Sequence, residues 1–570
     1  MRICRFIVTG WVQMFTQVQR RMLARSSQTE TGTRNLACCS NRRLRMRSGI
    51  MAAGLMAVIA IGAGDAEQAR SQALTTIHTF TGNDGSMPTA SVIRDAEGNI
   101  YGTTLQGGSM GWGTVFKIDS AGHETVLHNF AFSDGAFPWA GLIRDAAGNL
   151  YGTTVDGGPF NFGTVFKVDS SGKETVLHSF NCTDGASPFG ALIRDSAGNF
   201  YGTTEEGGSS CHGTTTLGNG TVFKLDRSGK ETVLFSFTGS GEVFPDGSLP
   251  VATLVRDSTG NLYGTTEEGG AMGFGTVFKL DTSGNETVLH SFNSLDGAVP
   301  AAGLVRDAAG NLYGTTLEGG SSARGGGIGF GTVFKLDTAG SETVLHNFDF
   351  GAGDGIFPEA SLIVDSEHNL LGTTQQGGAS GQGTVFKIDP SNKETVVHSF
   401  SFTDRGGFSP TGGLIMDRAD HLYGTATDEH GPSTHQGTVF RIALAVPFSA
   451  FTTKLEVVSG RLNGFELKGY FTQGAGAQTI NLSNQDLTLS VGSFVATIPA
   501  GSFHKTGKGA SVFEGMAGGK MLEIQLEQTG ANSYLIRVDA LNVNLNTHTN
   551  TIPVTLTVGY NSGTTQAKVK

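Results

Sequence analysis

Residues 145–154, Asp-Ala-Ala-Gly-Asn-Leu-Tyr-Gly-Thr-Thr, decide the fold because the same pattern returns along most of the chain. Tyr-Gly-Thr-Thr or a close variant begins at Tyr101, Tyr151, Tyr201, Tyr263, Tyr313, Leu371 and Tyr423. A second signature, Gly-Thr-Val-Phe, begins at Gly113, Gly163, Gly220, Gly275, Gly331, Gly383 and Gly437. Both series have seven members. A repeat of about 50 residues is the sequence signature of a repetitive architecture.

Each copy of the repeat contains four short runs typical of β-strands, separated by turn residues. In the second copy these runs are Ala140–Asp145, Leu150–Thr154, Gly163–Asp169 and Glu174–Phe180, here called strands A, B, C and D. The turn between A and B contains Gly148, which adopts a positive φ angle without steric cost. Four antiparallel strands in about 50 residues make one propeller blade. The sequence therefore predicts an all-β fold with a seven-bladed β-propeller.

The two ends of the repeat array predict that the propeller closes into a ring. The last copy supplies strands A, B and C but no strand D. Residues 75–80, Thr-Thr-Ile-His-Thr-Phe, form a D-type strand ahead of the first strand A. We expect this N-terminal strand to complete the last blade, because a closed ring leaves no sheet edge unpaired. The propeller domain is predicted to span residues 74–445.

Residues 446–570 lack the repeat and alternate apolar with polar residues between Gly, Asn and Ser turns. The predicted strands are Lys454–Ser459, Phe465–Thr472, Leu487–Val491, Met521–Gln528, Ser533–Ala540 and Ile552–Val558. This pattern is typical of a β-sandwich. Residues 565–570 carry no apolar tail or sorting motif.

Residues 1–73 resemble a signal-peptide region. A cluster of arginines precedes an apolar run over 50–64, and Ser71-Gln72-Ala73 fits a cleavage site. The run is short for a transmembrane helix, so we expect export without stable membrane insertion. The predicted location is secreted, cell-surface or periplasmic, and an N-terminal membrane anchor is the alternative. The long segment ahead of the run suggests that translation starts at Met46 or Met51.

The charge distribution argues against binding to nucleic acid. The chain has a net charge of −11, and 11 of its arginines lie in residues 1–73 with only three acidic residues. The remainder is therefore more acidic than the whole, and it would repel phosphate groups. We expect a monomer whose partner is an extracellular glycan or protein.

Two of the five cysteines, Cys182 and Cys211, lie outside the leader. An even pair in an oxidising compartment favours one disulfide bond. Both fall in loops on the same face of the predicted propeller, which supports their pairing. No cysteine or histidine cluster has the spacing of metal ligands, so the sequence predicts no metal site of that type.

The motif Asp-x-x-Gly-Asn-Leu-Tyr-Gly-Thr-Thr, followed by Gly-Gly, Gly-Thr-Val-Phe-Lys and Glu-Thr-Val-Leu-His-Ser-Phe, resembles the GloVer (Gloeo_Verruco) tandem repeat. The resemblance covers about residues 74–445. It implies an exported bacterial propeller, in many members tethered by a C-terminal anchor that is not visible here. It carries no established activity and no catalytic residues.

The D–A and B–C loops share one face of a propeller, here called the loop face, and loops are where function concentrates. Each D–A loop of the predicted propeller carries an aspartate: Asp84, Asp134, Asp184, Asp246, Asp296, Asp354 and Asp404. These carboxylates could bind a partner or Ca²⁺. Alternatively, Asp-Gly is the ordinary turn dipeptide. The cofactor is otherwise unknown.

Strand A carries a recurrent arginine that could line the centre of the ring and attract anionic groups. The residues are Arg94, Arg144, Arg194, Arg256 and Arg306. Alternatively, each arginine pairs with an adjacent turn aspartate or a neighbouring blade. Val364 and Met416 interrupt the series.

Strand D carries a recurrent histidine. The residues are His78, His128, His178, His290, His346 and His398, with Phe235 at the equivalent place in the third copy. Because strand D is outermost in a blade, these histidines are too far apart to share one ion. We expect them to pack against their own blades.

Two functions remain open from the sequence. The first is a binding module that recognises a glycan or protein through the loop face. The second is a polysaccharide-active enzyme, a hydrolase or lyase, since propellers host both. The most polar of the unusual loops contains Glu429 and His430. No phosphate-binding, nucleophile-elbow or metalloprotease motif is present, which favours binding over catalysis.

Overall fold

The structure is a computed structural model of the 570-residue chain. It describes residues 74–568, with gaps at 212–217, 239–243, 322–328, 351–352, 403–406, 419, 428–435, 445, 448–449, 459–463, 474–479, 483–486, 493, 500, 507–509, 542, 544, 546–550 and 559–560. The predicted leader and start codons lie outside the described residues. Within the described residues, no helix is long and apolar enough to cross a membrane.

The repeat forms seven four-stranded antiparallel sheets in the described part of the chain, here called blades 1 to 7. In the order A to D, the strands of blades 1 to 4 are Ile93–Arg94, Ile100–Thr104, Thr114–Ile118 and Glu124–Asn129; Ile143–Arg144, Leu150–Thr154, Thr164–Val168 and Glu174–Ser179; Ile193–Arg194, Phe200–Thr204, Thr221–Leu225 and Glu231–Ser236; Val255–Arg256, Leu262–Thr266, Thr276–Leu280 and Glu286–Ser291. Those of blades 5 to 7 are Val305–Arg306, Leu312–Thr316, Thr332–Leu336 and Glu342–Asn347; Ile363–Val364, Leu370–Thr374, Thr384–Ile388 and Glu394–Ser399; Ile415–Met416, His421–Ala426, Thr438–Ala443 and Leu74–Thr79. A small ladder joins Gly355–Ile356 to Gln376–Gly377.

The N-terminal strand completes the last blade. Leu74–Thr79 pairs antiparallel with Thr438–Ala443, and Thr79 lies opposite Thr438. This pairing confirms that the N-terminal strand joins the sheet of the last repeat, and the described sheets confirm the all-β class. Strand A is shorter than predicted, only Ile143–Arg144 in blade 2. The residues just before it instead contact the preceding blade through their carbonyl groups.

The turn between strands A and B explains the Asp-x-x-Gly-Asn-x-Tyr motif. In blade 2, Asp145 Oδ1 accepts the backbone N–H of Asn149 at 2.9 Å, and Oδ2 accepts the Tyr151 hydroxyl at 2.9 Å. Gly148 adopts a φ angle of +86°, which closes the turn. One carboxylate therefore fixes both the turn and the start of strand B.

The blades pack through phenylalanine rings that are fully buried between neighbouring sheets. Phe166 of blade 2 is 0% exposed, and its ring centroid lies 5.0 Å from that of Phe130 in blade 1. A Cβ atom added to Gly152 would lie 2.7 Å from the Phe166 ring. The glycine of Tyr-Gly-Thr-Thr is therefore required by close packing.

A ring of seven hydrogen bonds links each blade to the next. The first threonine of Thr-Thr in strand B donates its hydroxyl to a carbonyl just before strand A of the following blade, at 2.9–3.4 Å. The pairs are Thr103–Ala140, Thr153–Gly190, Thr203–Ala252, Thr265–Ala302, Thr315–Ala360, Thr373–Gly412 and Thr425–Ala90. The last bond joins blade 7 to blade 1. The propeller-like array is therefore closed.

The C-terminal residues form two sheets. One contains Val446–Pro447, Asn561–Lys568, Thr551–Val558, Leu487–Val491 and Phe494–Ile498, and the other contains Ala450–Val458, Gly464–Thr472, Ser533–Leu541, Lys520–Gln528, Ser511–Ala517 and His504–Lys505. Leu467 and Ile536 of the second sheet share one apolar core with Leu489 and Val554 of the first. The boundary between this part and the blades stays a prediction.

Candidate functional site

The first candidate site is the inner rim of the loop face. It is made of one residue after each D–A loop proline and one residue after each strand B. The residues are Thr89, Trp139, Phe189, Val251, Ala301, Glu359 and Thr411, and Leu105, Val155, Glu205, Glu267, Leu317, Gln375 and Thr427. The two sets are adjacent, because each residue of the second donates its N–H to the residue before the proline, at 2.9–3.3 Å.

The residue before each D–A proline adopts a left-handed backbone conformation with φ between +54° and +59°. The seven residues are Met87, Phe137, Ser187, Leu249, Val299, Phe357 and Ser409. This conformation costs about 1 kcal/mol or more for residues other than glycine. Each is held by two backbone bonds, because its N–H donates to the B–C loop of the preceding blade at 2.7–3.1 Å. The inner rim is therefore held by two blades at every position.

Aromatic side chains occupy one side of the inner rim. Trp139 and Phe189 follow equivalent prolines in successive blades, and their ring centroids lie 5.5 Å apart in an edge-to-face arrangement. Both side chains are partly buried. The other blades carry Thr, Val, Ala or Glu at this position. The aromatic pair is therefore a departure from the repeat rather than part of it.

Acidic side chains occupy the neighbouring part of the inner rim. Glu205 and Glu267 follow strand B in blades 3 and 4. Burial, together with the nearby charge of Glu267, raises the pKa of Glu205 well above its ordinary value. Burial and repulsion from Glu359, Glu268 and Glu318 raise the pKa of Glu267 to about 8. The Glu267 carboxyl group therefore favours the protonated form near neutral pH.

The aspartates of the D–A loops lie away from the inner rim and point to the outer strands. Asp84 Oδ1 accepts the backbone N–H of Thr81 at 2.8 Å, which closes the loop. Its Oδ2 lies 3.0 Å from His78 Nε2. The same His–Asp pairing joins His128 to Asp134, His178 to Asp184, His290 to Asp296 and His346 to Asp354, at 2.9–3.4 Å. One carboxylate oxygen therefore forms the turn, and the other contacts strand D.

A glutamate from the next blade approaches each of these pairs. We call each such trio an outer junction. The four with ligand atoms within 4.8 Å of one another are His78–Asp84–Glu124, His128–Asp134–Glu174, His178–Asp184–Glu231 and His290–Asp296–Glu342. Burial, followed by the nearby aspartate, raises the pKa of each glutamate to about 7. Five of the six strand D histidines do not only pack, as the sequence suggested, because each contacts the aspartate of its own D–A loop; Asp404, the aspartate of the His398 loop, lies outside the described residues.

The strand A arginines contact the blade that precedes them. Arg144 Nη2 lies 3.9 Å from Asp95 Oδ2, and its guanidinium lies 5.5 Å from the Tyr101 ring. Arg94 and Arg194 make the equivalent contacts, each with the aspartate and the tyrosine of its own preceding blade. Arg256 and Arg306 lie over the tyrosines of their preceding blades. The structure therefore places these arginines at blade contacts beside the A–B turns. It does not bring them to the inner rim.

Some of the remaining predicted site residues lie within the described residues and some lie outside them. Cys182 and Cys211 form a disulfide bond, with their Cα atoms 6.0 Å apart. It joins a D–A loop to a B–C loop. Asp246 makes the loop contact, accepting the Thr238 N–H at 2.8 Å, but Phe235 occupies the position at which other copies carry histidine. Asp404, Glu429 and His430 lie outside the described residues.

The family assignment follows from the repeat. The Gloeobacter/Verrucomicrobia repeat matches residues 67–249, 215–328 and 320–477. The chain belongs to this family. The match confirms the resemblance seen in the sequence and covers all seven blades. No curated protein matches this Gloeobacter/Verrucomicrobia repeat chain.

Three solved structures share a distant likeness with this repeat protein. A lectin from Burkholderia pseudomallei is 11% identical, with a TM-score of 0.40, over 60% of this chain and 94% of the lectin. A gluconolactonase from Xanthomonas campestris is 15% identical, with a TM-score of 0.32, over 54% and 86%. A Trypanosoma rangeli sialidase is 10% identical, with a TM-score of 0.32, over 84% and 97%. Likenesses at this distance carry no argument about function.

The inner-rim residues of this repeat protein were missed from the sequence. Trp139, Phe189, Glu205 and Glu267 sit at variable positions between the repeated motifs. Aligning the seven copies would expose them, because most other copies carry Thr, Val, Ala, Leu or Gln at these positions. The outer junctions were missed because their glutamate comes from the next copy.

Proposed function

We propose that this protein is an exported binding module that recognises a glycan through the inner rim. In this proposal the architecture is a seven-bladed β-propeller closed by the N-terminal strand and followed by a β-sandwich. The protein acts outside the cytoplasm, secreted or at the cell surface or periplasm, as a monomer. The observation that carries the proposal is the convergence of the repeat's departures, Trp139, Phe189, Glu205 and Glu267, on one rim.

The chemistry of this rim suits a sugar. Aromatic faces cover the apolar face of a pyranose, and a few polar groups fix its orientation. Trp139 and Phe189 supply the aromatic surface, and Glu205 and Glu267 supply carboxyl groups as hydrogen-bond partners. Because its raised pKa favours the protonated form of Glu267, this group can donate as well as accept a hydrogen bond near neutral pH.

A glycan array followed by calorimetry on the strongest ligand tests the proposal. Trp139→Ala and Phe189→Ala should each weaken binding at least tenfold, because each removes part of the stacking surface. Phe160→Ala is the matched control, since Phe160 is a 55% exposed aromatic residue in a B–C loop outside the rim. Full affinity in Trp139→Ala, or equal losses in Phe160→Ala, would contradict the proposal.

A second candidate is a polysaccharide-active enzyme, and one observation favours it. The charge of Glu267 raises the pKa of the neighbouring Glu205, and the Glu267 carboxyl group, with a pKa of about 8, is a competent general acid. Reducing-end release from a polysaccharide panel measures this activity. Turnover that disappears in Glu267→Gln, with glycan affinity retained, would establish the enzyme instead of the binding module.

A further inference from the structure

The outer junctions combine three metal-ligand types across the contact between two blades. The histidine and the aspartate come from strand D and the D–A loop of one blade, and the glutamate begins strand D of the next. In the second junction these are His128, Asp134 and Glu174. One imidazole with two carboxylates is a donor set that zinc and similar divalent ions accept.

Polar atoms at these junctions are buried without hydrogen-bond partners. Within the described residues, Oε1 of Glu124, Glu174, Glu231 and Glu342 has none. Nε2 of His128, His178 and His290 also lacks a hydrogen bond, although each lies beside its aspartate. Buried polar atoms normally have a partner, and an orphaned atom in a native structure calls for an unseen ion or water. The glutamate oxygen and the histidine nitrogen of each junction lie within 4.8 Å of each other.

At three junctions the histidine–aspartate spacing fits a shared ion better than a direct hydrogen bond, whereas His78 Nε2 and Asp84 Oδ2 are hydrogen-bonded at 3.0 Å. His128 Nε2 lies 3.4 Å from Asp134 Oδ2, and the corresponding distances for His178 and His290 are 3.3 and 3.4 Å. A charged N–H···O bond is shorter, about 2.7–2.9 Å. Two ligands bound at about 2.0–2.1 Å on a tetrahedral zinc ion lie roughly 3.3 Å apart.

We propose that the three outer junctions whose histidine Nε2 lacks a hydrogen bond, those of His128, His178 and His290, each bind one divalent transition-metal ion of the zinc type. The histidine nitrogen and the two carboxylate oxygens supply three ligands, and solvent supplies the fourth. The His and Asp side chains at these junctions are 15–27% exposed, which leaves a path for the ion and water. Each ion ties two blades together at the perimeter, far from the glycan rim.

The chain contains its own natural variants of this site. At the junction between blades 3 and 4, Phe235 replaces the histidine, and Asp246 Oδ1 and Glu286 Oε1 are left without hydrogen-bond partners. Between blades 6 and 7, Leu74 occupies the position of the glutamate. Phe235 and Leu74 show that the fold accepts phenylalanine in place of the junction histidine and leucine in place of the junction glutamate.

Zinc stoichiometry of the full chain, measured by equilibrium dialysis against metal-depleted buffer at micromolar Zn²⁺, tests the proposal. His128→Phe and His178→Phe should each remove one bound equivalent, and the double variant two. His123→Phe is the matched control, because His123 also pairs with an aspartate but is 81% exposed and lies in a C–D turn. It should leave the stoichiometry unchanged.

A gain of binding distinguishes the site from a folding effect. Phe235→His supplies the missing imidazole beside Asp246 and Glu286, and it should add one bound equivalent. Zinc should also raise the melting temperature of the wild-type chain more than that of the His128→Phe, His178→Phe double variant. Unchanged zinc stoichiometry in both His128→Phe and Phe235→His would overturn the proposal, and these results would leave the glycan-binding proposal untouched.

Discussion

The outer junctions and the inner rim differ in how strictly their side chains repeat from blade to blade. At the outer junctions the blades are nearly identical: five carry histidine, aspartate and glutamate at the same three places. At the inner rim the backbone is equally regular, but the side chains differ from blade to blade. A position that every blade shares serves the contacts between blades. A position that varies on a constant backbone is free to form a specific site, which is why function is assigned to the rim.

The largest expected effect comes from the repeated core. Phe166→Ala should lower the free energy of unfolding by about 3–5 kcal/mol, because it leaves a cavity between blades 1 and 2. The midpoint of urea unfolding measures the loss. Met110→Ala, at a 59% exposed residue, should change stability by less than about 0.5 kcal/mol. Similar midpoints for the two variants would contradict the interblade packing.

The glycine of strand B should show the next largest effect. Gly152→Ala places a methyl group 2.7 Å from the Phe166 ring and 3.0 Å from Leu142, so we expect a loss of about 1–3 kcal/mol. Gly530→Ala is the control, because its new Cβ would first meet Ser533 at 3.5 Å. Urea unfolding compares the two. A neutral Gly152→Ala would mean that strand B does not approach the phenylalanine so closely.

The acidic part of the inner rim should make stability depend on pH. Glu267 has a folded-state pKa of about 8, above its ordinary 4.5, so the folded chain holds a proton that the unfolded chain loses. The stability that this bound proton gives to the fold is fully present below about pH 4.5 and is lost as the pH rises to 8. Glu267→Gln should therefore be more stable than wild type at pH 9, by about 1–2 kcal/mol, and similar at pH 4.5.

Thermal melts of wild type and Glu267→Gln across this range check the prediction. Glu97→Gln, at an exposed turn residue, should follow the wild-type pH profile. A constant difference between wild type and Glu267→Gln at every pH would show that the Glu267 carboxyl group is not perturbed in the fold.

The smallest expected effect on stability comes from the aromatic part of the rim. Trp139→Ala should lower the unfolding free energy by only about 1 kcal/mol, because the side chain is partly exposed and the change removes one aromatic ring contact with Phe189. Its effect on glycan affinity should be at least tenfold. A loss of stability as large as that of Phe166→Ala would erase the distinction between varied rim and repeated core.

Much of the fold could be predicted because the same turn and strand motifs recur in all seven copies of the repeat. The Asp145–Tyr151 motif specifies a turn through one carboxylate, and Gly-Thr-Val-Phe specifies a buried strand. The pairing of Leu74–Thr79 with the last blade followed from counting strands. The short length of strand A was not predictable, because the residues before it are also typical of a strand. In the structure a carbonyl just before strand A, such as that of Gly190, instead accepts a threonine hydroxyl from the preceding blade.

The candidate sites were harder to predict because they depend on contacts between copies. His128 and Glu174 are far apart in the sequence pattern, and only the packing of neighbouring blades brings them together. Likewise, Trp139 and Glu205 belong to different loops, and neither has a motif around it. The arginines illustrate the converse: strand A predicted a central position for Arg144, but the side chain lies over Tyr101 of the preceding blade.

The inner rim encloses a single site only if the seven blades close into a ring, and amide hydrogen exchange of residues 74–79 tests that closure most directly. In the closed ring these amides pair with Thr438–Ala443, so they should exchange as slowly as those of Glu174–Ser179, the equivalent strand of blade 2. Exchange of residues 74–79 at the rate of an unstructured peptide, with Glu174–Ser179 still protected, would contradict the ring.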